Sequence, residues 1–222
     1  MFIVFSANAQ DFDILLFEEF NVAQTQTPPG FWSEFVEDPA DVALGGTSDG
    51  WEFGVASYPG SGFWDVPTNL DNSGFAIAND DIVDQDRRDD QLLIGVGDLS
   101  NYDSLTILID KFFDSQYGSS GFFLVGNGTQ AVIFPITEGA TWAQDELTVV
   151  NGETYTANGP LVFDDQMVIG FLHNDNSDWR DGLAVDNVIL AGWLPPCEAA
   201  GLTQEPTTPV TAPVGQTANI SA

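Results

Sequence analysis

The chain has 222 residues, 34 of them acidic and 4 basic, giving a formal net charge of −30 and an isoelectric point near 4.1. Hydrophobic residues make up 43% and aromatics 12%, enough to build a core, which excludes an acidic disordered tail. With only Arg87, Arg88, Lys111 and Arg180 to meet phosphates, nucleic-acid binding and attachment to anionic membranes are excluded as functions.

The first ten residues form a short apolar run ending in Ala7-Asn8-Ala9, the small-x-small form of a secretory cleavage site, although no basic stretch precedes it. This predicts an exported protein in which residues 1–9 are the remnant of the signal and residues 10–193 are one domain. No other segment approaches the ~18 apolar residues of a membrane-spanning helix. From Pro28 to Gly62 the chain reads as long, aromatic-rich loops over one end of that domain. Trp32, Trp51 and Tyr58 in this region, and Trp64 just beyond it, are candidates either for stacking on the sugar rings of a glycan or for packing the loops.

Asn79 to Asp90 carries six aspartates in eleven residues. Such groups raise one another's pKa unless a positive charge sits among them, and closely spaced hard oxygens suit Ca²⁺. Two readings stand: a calcium loop, or a solvated loop partly neutralised by Arg87 and Arg88. Asn174 to Gly182 begins like an EF-hand loop but has Trp179 at the sixth position and Val185 at the twelfth, so that motif fails.

The strongest periodic runs are short, β-branched and bounded by Gly, Asn and Asp: Leu105–Ile109, Gly121–Val125, Ala131–Phe134, Leu147–Val150, Met167–Phe171 and Leu183–Leu190. Turn pairs such as Asn127-Gly128, Asn151-Gly152 and Asn158-Gly159 supply positive-φ positions between strands. An all-β, antiparallel sandwich follows. From Leu194 on, 5 of the 12 prolines fall among Thr, Ala and Gln without an aromatic residue, the composition of a linker over 194–222 that leads to, or opens, a following module. Cys197 is the only cysteine and His173 the only histidine. No nucleophile elbow or phosphate loop accompanies them, so no enzyme is expected.

Taken in order, several segments resemble the cleaved-adhesin and choice-of-anchor J domains, secreted bacterial jelly rolls related to the MAM domains of animal surface proteins. They are Leu16-Phe17-Glu18-Glu19-Phe20-Asn21, Pro28-Pro29-Gly30-Phe31-Trp32, Asp49-Gly50-Trp51-Glu52-Phe53-Gly54, Gly74 to Asp81, Asp89-Asp90-Gln91-Leu92-Leu93-Ile94 with Asp98-Leu99-Ser100, and Asp181 to Leu190 with its Ala184-Val185-Asp186-Asn187-Val188. Gln91 and Gly95-Val96-Gly97 depart from the family pattern. The resemblance implies a MAM-like jelly roll in which acidic groups of the first strand, the last strand and the loop before the fifth matched segment hold structural Ca²⁺. Carried over by position, the ligands are Glu19, Asn21, Asp80, Asp81, Asp90 and Asp186. Asp186 also stands out by itself, because a carboxylate flanked by Val185 and Val188 needs a partner if buried. The expected function is a secreted or cell-surface, calcium-stabilised, non-enzymatic adhesion module for a glycan or protein ligand. The alternative is a subunit of an extracellular fibre, a homopolymer built by terminal strand addition.

Overall fold

The computed structural model describes residues 11–35, 50–58, 64–78, 90–115, 118–174 and 182–196. These form β1 (Phe12–Glu18), β2 (Trp32–Phe35), β3 (Trp51–Val55), β4 (Phe75–Ala78), β5 (Asp90–Gly97), β6 (Ser104–Phe113), β7 (Ser120–Gly126), β8 (Ala131–Pro135), β9 (Gly139–Val150), β10 (Thr154–Thr156), β11 (Gly159–Pro160), β12 (Met167–Asn174) and β13 (Leu183–Trp193). One sheet, here the back sheet, runs β3-β4-β13-β6-β9 with β1 also on β13; the front sheet runs β2-β5-β12-β7-β8. Every paired neighbour is antiparallel. From β4 to β13 the chain passes repeatedly from one sheet to the other, the winding of a jelly-roll sandwich.

Period-two alternation builds the core. Leu92, Ile94, Phe123, Val125, Ile169 and Phe171 point inward from the front sheet and meet Leu105, Ile107, Ile109, Val185 and Leu190 from the back sheet. The back sheet also carries a second cluster on its outer face, where Phe75, Ile77, Phe112 and Ala184 are covered by Trp64 and Val66. Lys111 falls at an inward position next to Asp110, and its Nζ donates to the Thr137 carbonyl. Burial lowers its pKa, against which Asp145 and Glu138 act.

The stretch from Pro28 to Gly62, expected as loops, contains β2 and β3, paired to β5 and β4. Both are edge strands of four and five residues among the described residues, too short for a periodic run, and their Trp32, Trp51 and Phe53 are core positions whereas Phe35 is exposed. Gly54, at φ +70°, and Gly74 permit a close approach here: a Cβ on Gly74 would lie 2.9 Å from the Gly54 Cα, and one on Gly54 would strike the Val22 carbonyl.

Candidate metal centre

One edge of β13 is shared. β4 pairs with Leu183–Val185, and β1 takes over from Val188 to Trp193. Between them the register with β6 shifts after Asp186, and Asn187 adopts φ +49°, a bulge that holds two consecutive side chains on one face. Val185 and Val188 belong to the inner core and Ala184 to the outer cluster, so Asp186 stands on the outer face. The residues that close over it come from the connection leading into β4.

Asp186 is 0% exposed. Its Oδ2 accepts hydrogen bonds from Asn69 Nδ2 at 2.6 Å and Ser73 Oγ at 3.0 Å. Directly across the ladder on β6 is Asp110, 7% exposed, whose Oδ2 accepts from Asn187 Nδ2 at 2.9 Å. The same Asn187 amide reaches Asp71 Oδ2 at 3.4 Å, while Asp71 Oδ1 caps the Ser73 amide. Three buried oxygens remain without a donor among the described residues: Asp186 Oδ1, Asp110 Oδ1 and Asn69 Oδ1. Burial pushes the Asp186 carboxyl up to about 7; the Asn187 amide, Ser73 and Asn69 pull it down less strongly, and the Asp71 charge adds to the rise. Hydrogen bonds from Ser73 and Asn187 outweigh a small effect of burial at Asp71 and lower its pKa.

Two carboxylates facing each other out of water are costly unless a cation neutralises them. Lys111, the one basic residue among those described, turns instead to Thr137. Two carboxylates, an amide oxygen and a hydroxyl are hard donors of the kind Ca²⁺ takes, and the donor-less oxygens fit such an ion. Among the described residues, no group of three or more Asp, Glu, His or Cys side chains is gathered for a metal, so any ion here leans on neutral oxygens as well.

Of the ligands expected from sequence, Asp186 lies at the centre of this cluster and Asn21 at its margin, its Oδ1 accepting from the Gly74 amide at 3.4 Å. Glu19 is exposed. Its neighbour Glu18 is the carboxylate in use, accepting from the Phe20 amide and from Trp32 Nε1. Asp90 is buried in β5 of the front sheet, opposite His173, with its carbonyl accepting from Trp51 Nε1 at 3.4 Å. It alternates with Leu92 and Ile94 and so faces inward, whereas Asp186 faces outward from the other sheet; the structure does not bring the two together. Asp80 and Asp81 lie outside the described residues.

The expected sugar-stacking aromatics are corrected. Trp32, Trp51 and Trp64 are buried, and Tyr58 packs on the outer cluster with its ring 6.3 Å from that of Trp64. Trp32 and Trp51 sit on Phe171 at 6.1 and 6.4 Å, so their faces are spent on the core. Sequence reasoning passed over Asn69, Asp71, Ser73, Asp110 and Asn187. Asp110 carried a signal of its own, a carboxylate continuing the apolar run Leu105–Ile109; the others lie in turns or at a bulge, where nothing distinguishes a ligand from a turn former.

No protein-family model matches the chain, and no curated protein matches it. Solved structures are similar in part. A cleaved adhesin domain of Lys-gingipain from Porphyromonas gingivalis is 14% identical with a TM-score of 0.47, over 82% of this chain and 99% of that one. A family 11 carbohydrate-binding module of a cellulosomal cellulase from Clostridium thermocellum is 13% identical with a TM-score of 0.46, over 83% and 96%. The enzymatically active domain of tailspike protein 4 of bacteriophage CBA120 is 12% identical with a TM-score of 0.46; the match covers 74% of this chain and only 19% of the tailspike. Likenesses of this order carry neither an activity nor a ligand from one chain to another, and the sandwich rests on the strand pairing described above.

Proposed function

We propose that this chain is a non-enzymatic binding module of an extracellular or cell-surface protein, of the cleaved-adhesin or choice-of-anchor J kind, whose fold is completed by Ca²⁺ at the Asp186 cluster. The observation that carries the reading is the set of three buried oxygens without donors on Asp186, Asp110 and Asn69. Calcium there ties the β4 connection to β6 and β13 and relieves the repulsion between two facing carboxylates. Extracellular calcium is abundant enough to keep such a site filled. An ion that binds only the fold, at about 100 times its Kd, adds ~2.7 kcal/mol, or roughly 5–11 °C in melting temperature for a domain of this size. The ligand is a glycan or a protein, and its contacts fall on exposed connections rather than on the buried tryptophans.

Thermal unfolding of the full chain tests this in EDTA, in millimolar CaCl₂ and in NaCl of equal ionic strength. The expected result is a rise with CaCl₂ alone that Asp186→Ala and Asp110→Ala abolish. An equal rise with NaCl would make the carboxylates an adaptation to salt and end the proposal.

A second reading, a fibre subunit built by strand addition, is favoured by one observation. Among the described residues β1 pairs only with β13, and Phe12, Ile14 and Phe17 are left exposed along it. Concentration-dependent assembly lost on trimming residues 1–12 is its signature.

A further inference from the structure

The connections that cover the outer cluster of the back sheet bound a hollow of about 350 Å³, lined by Ser57, Tyr58, Asp65, Val66, Pro67 and Thr68. Its walls are held in place. The Tyr58 amide donates to the Val66 carbonyl at 2.8 Å and the Val66 amide to the Tyr58 carbonyl at 2.7 Å, which clamps the two connections together. Trp64 backs the Tyr58 ring at 6.3 Å, and Trp142 Nε1 donates to the Pro67 carbonyl at 2.7 Å. Val66 is buried and Tyr58 half-buried, while Ser57, Asp65, Pro67 and Thr68 are exposed. The hollow thus combines the apolar surface of Pro67 and of the uncovered part of Tyr58 with two hydroxyls and one carboxylate.

We infer that this hollow binds one neutral sugar ring of a glycan, and that calcium at the Asp186 cluster holds it in shape. The inference names the ligand class left open above and rests on the reading of that cluster as a calcium site. A sugar ring presents apolar C–H groups inside a rim of hydroxyls, and the lining answers both. Pro67 and Tyr58 meet the C–H groups, Asp65 accepts from hydroxyls in charge-assisted bonds, and Ser57 and Thr68 both donate and accept. Asp65 is the only charged side chain of the lining, in a chain of net charge −30, so an anionic sugar is repelled. The volume lies at the low end of the ~300–1,000 Å³ of ligand pockets, room for a single ring rather than a run of them. A second hollow of about 310 Å³, lined by Gln24, Thr25, Gln26 and Glu52, offers no apolar side chain to a ring. The link to calcium runs along the chain: Val66-Pro67-Thr68 leads straight into Asn69, whose Nδ2 donates to Asp186 Oδ2 at 2.6 Å and to Ser73 Oγ at 2.7 Å. With an ion bound, this connection is fastened to β13 one residue beyond Thr68; without it, the facing carboxylates repel and that wall loosens. Sugar and calcium therefore raise each other's affinity by the same factor.

NMR titration of the full chain tests this with the methyl glycosides of glucose, galactose, mannose, xylose, fucose and N-acetylglucosamine, in millimolar CaCl₂ and in EDTA. The expected result is a millimolar Kd for at least one of them in CaCl₂ and none for the anionic methyl glucuronide. Asp65→Asn and Thr68→Val, at exposed positions that leave the melting temperature unchanged, each raise that Kd at least ~10-fold, as does EDTA for the parent. Glu52→Gln, at the second hollow, leaves it unchanged. No binding by any neutral glycoside overturns the inference, and a calcium-dependent rise in melting temperature in the same samples shows that the calcium reading survives it. Equal binding in CaCl₂ and EDTA also overturns it; if the melting temperature does not respond to calcium either, both readings fall together. Binding of Nα-acetyl-lysine methylamide in place of the glycosides, lost in Asp65→Asn and weakened by NaCl, overturns it too and assigns the hollow to a basic side chain of a protein.

Discussion

Replacing Asp186 by Asn separates the cost of burying this carboxylate from what a cation gains there. Asn is nearly isosteric, and its carbonyl still accepts from Asn69 and Ser73 where Asp186 Oδ2 does now. In EDTA the parent carries a carboxyl whose pKa in the fold is about 7 against 3.8 in the unfolded chain. The fold therefore binds this proton more tightly than the unfolded chain does. The stabilisation is fully present below pH 3.8 and is lost as pH rises through about 7. Over that interval the loss amounts to about 4 kcal/mol. Urea unfolding in EDTA at pH 5 and pH 8 reads about 2.7 kcal/mol of it, the part lost above pH 5. The Asn variant shows a weaker decline between the two, and at pH 8 it is more stable than the parent by up to about 4 kcal/mol. With millimolar Ca²⁺ the gap narrows by about 2.7 kcal/mol, because only the parent gains. A variant less stable than the parent by the same amount in EDTA at both pH values, with the parent's decline intact, would refute the burial argument.

Other substitutions probe the supports of the site. Glu18→Gln weakens two hydrogen bonds to a charged acceptor, those from the Phe20 amide and Trp32 Nε1, and should cost about 1–3 kcal/mol in urea while leaving the calcium-dependent rise in melting temperature unchanged. Gly54→Ala forces a Cβ into the Val22 carbonyl at φ +70°; a loss of ~2 kcal/mol or more is expected by chemical denaturation. Phe171→Ala removes the ring that contacts Trp32, Trp51 and Phe123. It should cost ~3–5 kcal/mol and redshift tryptophan fluorescence in whatever folded population remains.

The strands with long β-branched runs were legible in the sequence because their chemistry and their burial agree. Met167–Phe171 and Leu183–Leu190 are the spines of the two sheets, β12 and β13. The strands missed among the aromatic loops are those whose periodicity is too brief to register, although Trp51-Glu52-Phe53 does alternate buried, intermediate, buried. Trp and Tyr beside glycine are compatible in sequence with either stacking or packing; here glycine brings backbones together so that the rings are enclosed, which decides for packing. The site was half legible. A carboxylate within an apolar strand needs a partner if it is buried, which turns out to hold for Asp186 and, after Ile109, for Asp110. Its companions arrive from a turn more than a hundred residues earlier in the chain, since Asn69 and Asp186 are 117 positions apart, and local sequence carries no trace of that meeting. Asp90 and Asp186, which the resemblance joins, face inward from the front sheet and outward from the back sheet, a difference that depends on strand pairing rather than on local sequence.

The two ends of the sandwich lie side by side. Phe12 is the ladder partner of Trp193, their rings are 5.1 Å apart, and the Leu194 amide donates to the Asp11 carbonyl at 2.9 Å. Tension applied between the strands that enter and leave the domain meets this pair of the back sheet first. Because β1 and β13 are antiparallel and are gripped at the same end, their hydrogen bonds are loaded one after another, as in a zipper, rather than together in shear. The unzipping front runs from Trp193 back towards Val188 and arrives at Asn187 and Asp186. There a bound cation would tie β13 to β6 and to the connection into β4, and act as the stop on the zipper.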